Sequence, residues 1–436
     1  MKTDFTPDFR DMVNILLWNS FGLFFLDFLI PYIASVEIHA TGTQIGILFA
    51  IRTVGYLLIA PLAGNLTDKI LRKKLIYIGS IGRGIAYFIL YFSILEKSLE
   101  FIIFGNLLLG LMAGFFWIPL DVLISEKSNP SNRSEAFGIR NAKVGQGTIV
   151  GNIIGFGILG AGSLFLNGNR YLMYSALLVF GLSNFYGGTK FYRNVDESIK
   201  YHTEVVEAWK VEDKSYLQFF KDLPSGLTTI LMLLLVLLFI SSVKASTAKP
   251  FILVYLTQNI ESDPFIASLV YVPAGLASVL LAPYLGKIGD RLNPKIVIGF
   301  GSILGAIVTW TIINTNSLIV FSILLLFDEL IVITTELMIQ NVFSKISIAN
   351  RGKVFALETL FVDFGAVIGP IFGGVLWDAY GFRAPFIFSI FVELLLIPFF
   401  FIAFTRFSKF ERTNQTESLK NTIIPNIHLI PESDPI

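Results

Sequence analysis

Ala60-Pro61-Leu62-Ala63-Gly64-Asn65-Leu66-Thr67-Asp68-Lys69 returns later in the chain as Ala282-Pro283-Tyr284-Leu285-Gly286-Lys287-Ile288-Gly289-Asp290-Arg291. Each copy closes a long apolar stretch and opens a short basic turn. A second pair repeats at nearly the same distance: Asn132-Arg133-Ser134-Glu135-Ala136-Phe137 matches Asn350-Arg351-Gly352-Lys353-Val354-Phe355. Downstream of it, Gly147, Gly151 and Gly155 fall on Gly365, Gly369 and Gly373. The offsets are 222 and 218 residues, so the chain reads as two related halves.

Composition sets the solvent in which those halves fold. Hydrophobic residues make up 54% of the chain and charged residues only 15%, against about 25% charged in a soluble domain. A globular core cannot absorb that much apolar surface, whereas lipid can. Net charge is +1, which leaves no basic field to attract nucleic acid. With no cysteine, disulfides, thiolate metal sites and a cysteine nucleophile are excluded. The three histidines, His39, His202 and His428, fall in loops or tails, away from any metal-ligating spacing. No nucleophile–base constellation is visible either, so the chain reads as a non-enzyme without cofactor.

A helix that crosses a bilayer needs about 20 mostly apolar residues. Twelve segments qualify: 12–36, 43–66, 75–95, 99–125, 135–161, 171–191, 227–256, 264–288, 296–313, 317–346, 353–379 and 384–406. They predict an all-α membrane protein of twelve transmembrane helices in two pseudo-symmetric six-helix bundles. The expected domains are residues 1–191, a polar linker over 192–224 in which Glu204–Tyr216 could form a surface helix, residues 225–407, and a polar, disordered tail over 408–436. The first apolar stretch is too long for a signal-peptide core and reads as an uncleaved span. Lysine and arginine divide 24 to 3 between the two sides, with only Lys97, Arg170 and Arg383 on the sparse one. The positive-inside rule then puts both termini in the cytoplasm, and the cell membrane is the expected location.

Twelve spans in repeated halves, with these loop motifs, resemble the major facilitator superfamily over residues 12–406. The family's signature between spans two and three is matched by Gly64, Leu66, Asp68, Lys69, Arg72, Lys73 and Lys74, and its weaker copy between spans eight and nine by Gly286, Asp290, Arg291 and Lys295. The resemblance implies a secondary transporter of a small organic solute, functional as a monomer, that places its substrate between the halves. It also implies that Asp68 docks on the N-terminus of span eleven as a gate, where unpaired N–H groups and the helix dipole favour a carboxylate. Setting topology is the other role open to Arg72–Lys74, and the cluster is within reach of Glu126 or Asp121.

Ionisable residues inside the spans are the candidate site. Each costs about 2.5–3.5 kcal/mol at the bilayer centre, so each needs a cavity or a partner. By the resemblance, spans one, four, seven and ten line the cavity; they carry Asp27, Asp121, Lys244, Lys249, Asp328, Glu329 and Glu336. Glu329 and Glu336 share one helical face. Asp27 before Pro31 and Lys249 before Pro250 occupy matching places in the two halves: either a proton or substrate-charge site, or a neutralising pair that fixes packing. Arg52 and Asp363 lie at similar depth on spans two and eleven and are expected to pair across the halves, with Arg140 and Glu358 as a second interdomain clasp and Lys143 beside Arg140. Arg83 could pair with Asp121. Phe115, Phe116 and Trp117 are candidates for an aromatic wall that suits an amphipathic solute.

Two signatures within the resemblance are incomplete. The antiporter glycine run on span five has Asn152 and Phe156 where proline and glycine belong, and Asn106 stands where an arginine belongs on span four. The sugar-porter motif is missing after span six. No phosphate-binding loop points to ATP, so an ion gradient is the expected drive, with protons as the coupling ion and efflux favoured. The alternatives are an uptake symporter for an organic anion held by Lys244 or Lys249, and a non-transporting sensor or scaffold on the same fold.

Overall fold

The computed structural model describes residues 5–129, 133–200, 218, 220–221, 223–277, 281, 284–285, 293–346 and 351–423. Among the described residues the regular structure is helical, apart from one isolated bridge between Phe5 and Ser128. The first half comprises α1 (Phe9–Asn19), α2 (Leu23–Tyr32) with a wide π turn over Ile33–Glu37, α3 (Gly42–Lys69), α4 (Arg72–Leu95), α5 (Leu99–Glu126), α6 (Arg133–Gly160), α7 (Arg170–Met173) and α8 (Ala176–Asn194). The second half comprises α9 (Ser225–Asn259), α10 (Pro264–Leu269), α11 (Pro294–Ile312), α12 (Leu318–Ile346), α13 (Arg351–Tyr380) and α14 (Ala384–Ile423). Among the described residues ten helical segments are long and apolar enough to cross a membrane, and Pro264–Ala277 is a shorter apolar helix. The chain is a multi-pass membrane protein of helical spans, each of which satisfies its own backbone hydrogen bonds across lipid.

Local chemistry sets the helix starts. At α3, the Thr41 hydroxyl accepts from the Gln44 amide at 3.2 Å, and the Gln44 side chain accepts from the Thr41 amide at 2.9 Å, a reciprocal capping box. Asp263 caps α10 by accepting from Phe265 and Ile266, each at 2.9 Å. Asn293 does the same for α11 through Lys295, at 3.0 Å.

Three elements differ from expectation. The first span is not one helix: it breaks at Ser20–Gly22, where Gly22 takes φ = 82°. Only glycine adopts this left-handed backbone without penalty, and a Cβ at Gly22 would lie 2.5 Å from the Phe180 ring. Gly22→Ala is therefore expected to lower stability by about 1–2 kcal/mol from the backbone alone, read as a lower unfolding temperature in detergent. The sixth expected span is helical, but α8 is not among the ten apolar segments. Its second half carries Ser183, Asn184, Gly187 and Gly188, which pack inward rather than toward lipid. Finally, the expected disordered tail begins as helix. α14 runs on from Phe407 to Ile423, because neither glycine nor proline interrupts the polar run before Pro425. The surface helix expected over Glu204–Tyr216 lies outside the described residues.

We refer to the end that carries the N-terminus and residues 70–71 as the near end, and to the end with residues 38–41 and 381–383 as the far end. The two halves meet at the far end. α3 packs on α13, α2 on α9, and α6 on α10. One hydrophobic cluster there draws on both halves, including Phe25, Phe28 and Tyr32 with Phe251, Tyr255 and Phe321. Toward the near end the cores separate. One contains only first-half residues such as Phe9, Ile76 and Leu120, and another only second-half residues such as Leu231, Met338 and Phe404. Glycine permits the close far-end crossing. A Cβ at Gly42 would lie 2.8 Å from the Gly374 carbonyl oxygen, and one at Gly46 would overlap the Pro370 backbone.

Candidate functional site

The break in span one organises the first-half site. Helix ends leave carbonyls without intrahelical partners, and in a membrane interior each must find another donor. α4 provides them. Arg83 donates to the Asn19 carbonyl at 2.8 Å, and Tyr87 to the Phe21 carbonyl at 3.0 Å. One turn earlier, Ser80 donates to the Asn19 side chain. Ser80, Arg83 and Tyr87 recur at i, i+3 and i+7, so one face of α4 clasps the break. Arg83 is 1% exposed and lies 4.9 Å over the Phe116 ring and 5.7 Å from that of Trp117. This corrects the expectation that Arg83 pairs with Asp121: backbone carbonyls and aromatic faces hold it instead.

Two charge pairs follow within the same half. Arg52 on α3 donates to Asp27 on α2 at 2.5 Å, with about a third of each side chain exposed (33% and 34%). Arg140 on α6 pairs with Asp121 on α5 at 3.1 Å, and its guanidinium stacks 4.8 Å from the Trp117 ring. Both expected clasps are thereby rearranged. Arg52 is engaged by Asp27 rather than Asp363, and Arg140 by Asp121 rather than Glu358. Each arginine is thus engaged by a carboxylate of its own half. Tyr56 lies within electrostatic reach of Asp363, Asp121 and Arg140, so Asp363 still borders this region. Phe116 is fully buried and meets Trp117 edge-on at 4.8 Å. Of the expected aromatic wall, then, Phe116 is buried, whereas Trp117 and its neighbour Phe115 are partly exposed.

The second half is richer in carboxylates. Lys244 on α9 forms an ion pair with Glu393 on α14, a partner that the sequence reading overlooked. Lys249 is exposed and lies within electrostatic reach of Asp328, Glu329 and Glu336, and Glu336 within reach of Glu358. The expected opposition of Lys249 to Asp27 is not formed, because Asp27 is occupied by Arg52.

The gate residues sit at the near end. A Cβ added at Gly64 would meet nothing within 4 Å, and Asp68 and Lys69 are exposed. Arg72 pairs with Glu126 at 3.1 Å, and Lys200 with the same carboxylate at 3.2 Å. Glu197 accepts from the Arg72 and Lys73 amides at 3.1 and 2.5 Å, capping α4. Lys73 lies 5.5 Å over the Tyr192 ring. Nearby, Asp196 accepts from the amide and hydroxyl of Ser198, which hold its carboxyl below the ordinary value. The second copy of the motif, with Gly286, Asp290 and Arg291, lies outside the described residues.

The arrangement can therefore bind and move charge between helices. No cluster of metal-ligating side chains occurs among the described residues.

Comparison with known proteins agrees along the whole chain. The family model described as Major Facilitator Superfamily matches residues 15–241 and again 234–429. The relatives include Multidrug resistance protein MdtG of Salmonella arizonae, 25% identical over 350 residues, which covers 78% of this chain and 80% of the relative. MdtG of Escherichia coli O17:K52:H18 is 26% identical over 352 residues, with the same coverage. Among solved structures, a bacterial homolog of the human lysosomal transporter Spinster, inward-facing and unoccupied, superposes with a TM-score of 0.72. It is 14% identical, and the match covers 92% of this chain and 98% of that one. The nucleoside transporter NupG gives a TM-score of 0.65 at 14% identity, covering 92% and 99%. At that identity the likeness to the solved structures speaks for the fold alone.

Proposed function

The chain belongs to the Major Facilitator Superfamily, a family of membrane transporters and not of enzymes, and on that premise we propose that it exports amphipathic organic compounds by proton-coupled alternating access. In this reading twelve spans form two six-helix bundles related by a pseudo-twofold. Both termini lie in the cytoplasm, at the cell membrane, and a monomer suffices. The lysine and arginine bias supports that orientation. The near end is then cytoplasmic, and the structure corresponds to an inward-open state.

The observation that carries the proposal is the division of the hydrophobic core. A cluster shared by both halves at one end, and separate clusters at the other, is the packing expected of two bodies that rock about a central site. Export is supported by the relatives named multidrug resistance proteins. An amphipathic cargo is supported by Trp117, a partly exposed ring stacked on the Arg140 guanidinium that pairs with Asp121. Asp27 is our candidate coupling acid: a proton taken from outside would release Arg52, and the same release would loosen α2 from α3. Glu329 and Glu336 are second candidates. Asp68 and Asp290 would close the cytoplasmic side. Uptake of an organic anion is the weaker reading, because Lys244 is already engaged by Glu393 and Lys249 lies among the carboxylates of Asp328, Glu329 and Glu336. A sensor or scaffold would need none of the Trp117 surroundings.

The test is export of lipophilic dyes from cells stripped of their own efflux pumps, with and without a collapsed proton gradient. Trp117→Ala is expected to lower the rate by about tenfold or more, the loss of about 1.4 kcal/mol or more of contact with the cargo, while the folded protein persists. Unchanged dye retention in the presence of the parent protein, across a broad panel, would count for the sensor reading.

A further inference from the structure

We propose that Asp378 is the latch that holds the far side of the transporter closed, and that it acts in alternation with Asp68 at the other end of the same helix pair. The inference rests on the alternating-access reading above.

The geometry is direct. Asp378 lies in the last turn of α13 and reaches across to the first turn of α3, in the other half. One carboxylate oxygen accepts from the Gly42 amide at 2.6 Å. The other accepts from the Thr43 amide at 2.8 Å and the Thr43 hydroxyl at 2.7 Å. A helix N-terminus presents unpaired N–H groups and a positive dipole end, and both favour an anion. Of those N–H groups, Thr41 and Gln44 satisfy their own through the capping box. The Gly42 and Thr43 amides are satisfied by the other half of the molecule. Hydrogen bonds to a carboxylate are among the stronger kind, and these three join the bodies that must part. The carboxylate can come so close because Gly42 and Gly374 let the two helix backbones touch there.

α3 and α13 are antiparallel and of nearly equal length, 28 and 30 residues. Each carries an aspartate in its last turn. Asp378 meets the N-terminus of α3, whereas Asp68, in the last turn of α3, is exposed and Gly64 beside it faces open space. One end of the pair is thus fastened and the other free. Rocking that separates Gly42 from Asp378 swings the C-terminal end of α3 toward the second half, which is the movement that would seat Asp68. The signal was present in the sequence: Trp377-Asp378 follows the Gly373-Gly374 pair, as Thr67-Asp68 follows Gly64.

The chain lacks cysteine, so paired spin labels can be placed without background substitutions. Glu96→Cys with Asn314→Cys reports the far end, and Lys74→Cys with Arg406→Cys the near end, by double electron–electron resonance in lipid nanodiscs. Asp378→Ala is expected to raise the ratio of far-end-open to far-end-closed molecules about tenfold, with matching closure at the near end. Thr43→Val removes only the hydroxyl bond and is expected to shift the same ratio about two- to threefold. Asp68→Ala is expected to shift it the opposite way. If the parent interconverts on addition of dye or a change of pH, yet Asp378→Ala and Thr43→Val leave both distances where they were, the latch is wrong and alternating access stands. If no variant, dye or pH moves either distance, alternating access falls and the latch with it.

Discussion

Arg52→Ala is expected to abolish transport and to destabilise the protein by about 1–3 kcal/mol. The substitution strands Asp27 in the membrane interior, where a carboxylate without a partner is costly. Breaking a fully buried ion pair costs about 3–5 kcal/mol, and the figure here is lower because about a third of each side chain stays exposed (33% and 34%). The double variant Arg52→Gln with Asp27→Asn removes both charges and keeps two hydrogen-bonding side chains of similar size. It is expected to regain most of the lost stability but none of the proton-driven flux. Thermal unfolding in detergent, measured beside dye export, separates the two effects. If Arg52→Ala unfolds and transports as the parent does, the pair contributes to neither.

Arg83→Ala is expected to be the most damaging single change in the first half, at about 3–5 kcal/mol. Two losses combine. The Asn19 carbonyl loses its donor, and an unmet buried acceptor costs about 1–3 kcal/mol. A large side chain vanishes from between Phe116, Trp117 and the break, and the unfilled space adds a cavity cost of the kind seen for other large-to-small changes. One effect opposes these: removing a buried cation relieves its desolvation. Arg83→Met discriminates among them. It fills most of the volume, removes the charge and still leaves the carbonyl unmet, so it is expected to cost about 1–3 kcal/mol. A methionine variant as stable as the parent would show that cavity filling was the whole effect. Tyr87→Phe, which frees only the Phe21 carbonyl, is expected to cost about 1 kcal/mol, within the same range.

Ten spans were legible among the described residues because hydropathy and length are enough to recognise lipid-crossing helices. The repeated motifs made the family resemblance legible too. The pairing of charges was not. Matching Asp27 to Lys249 by position in the repeat ignored Arg52, one helix away in the same half, and an acid pairs with the nearest base. Expecting Arg83 to seek Asp121 overlooked backbone acceptors, because carbonyls are freed only where a helix breaks. The break itself left a faint trace: Ser20-Phe21-Gly22 interrupts an otherwise apolar run by little more than one glycine. Glu393 escaped notice inside Phe391-Val392-Glu393-Leu394-Leu395-Leu396, where a lone acid is easily taken for an exception and not for the counter-charge of Lys244.

The interruption of the first span has a mechanical corollary. α1 packs on α6 and α8 of its own half, while α2 reaches α9 of the other. A continuous rod joining these two sets of neighbours would have to rupture its ladder to flex. Here the ladder is already parted, and its loose carbonyls are carried by Arg83 and Tyr87. Flexing at Gly22 therefore sacrifices no further hydrogen bonds, and the elbow travels with α4 as a unit. Asp27 sits on the forearm just beyond it and Arg52 on another helix, so a swing at the elbow displaces one member of the ion pair against the other.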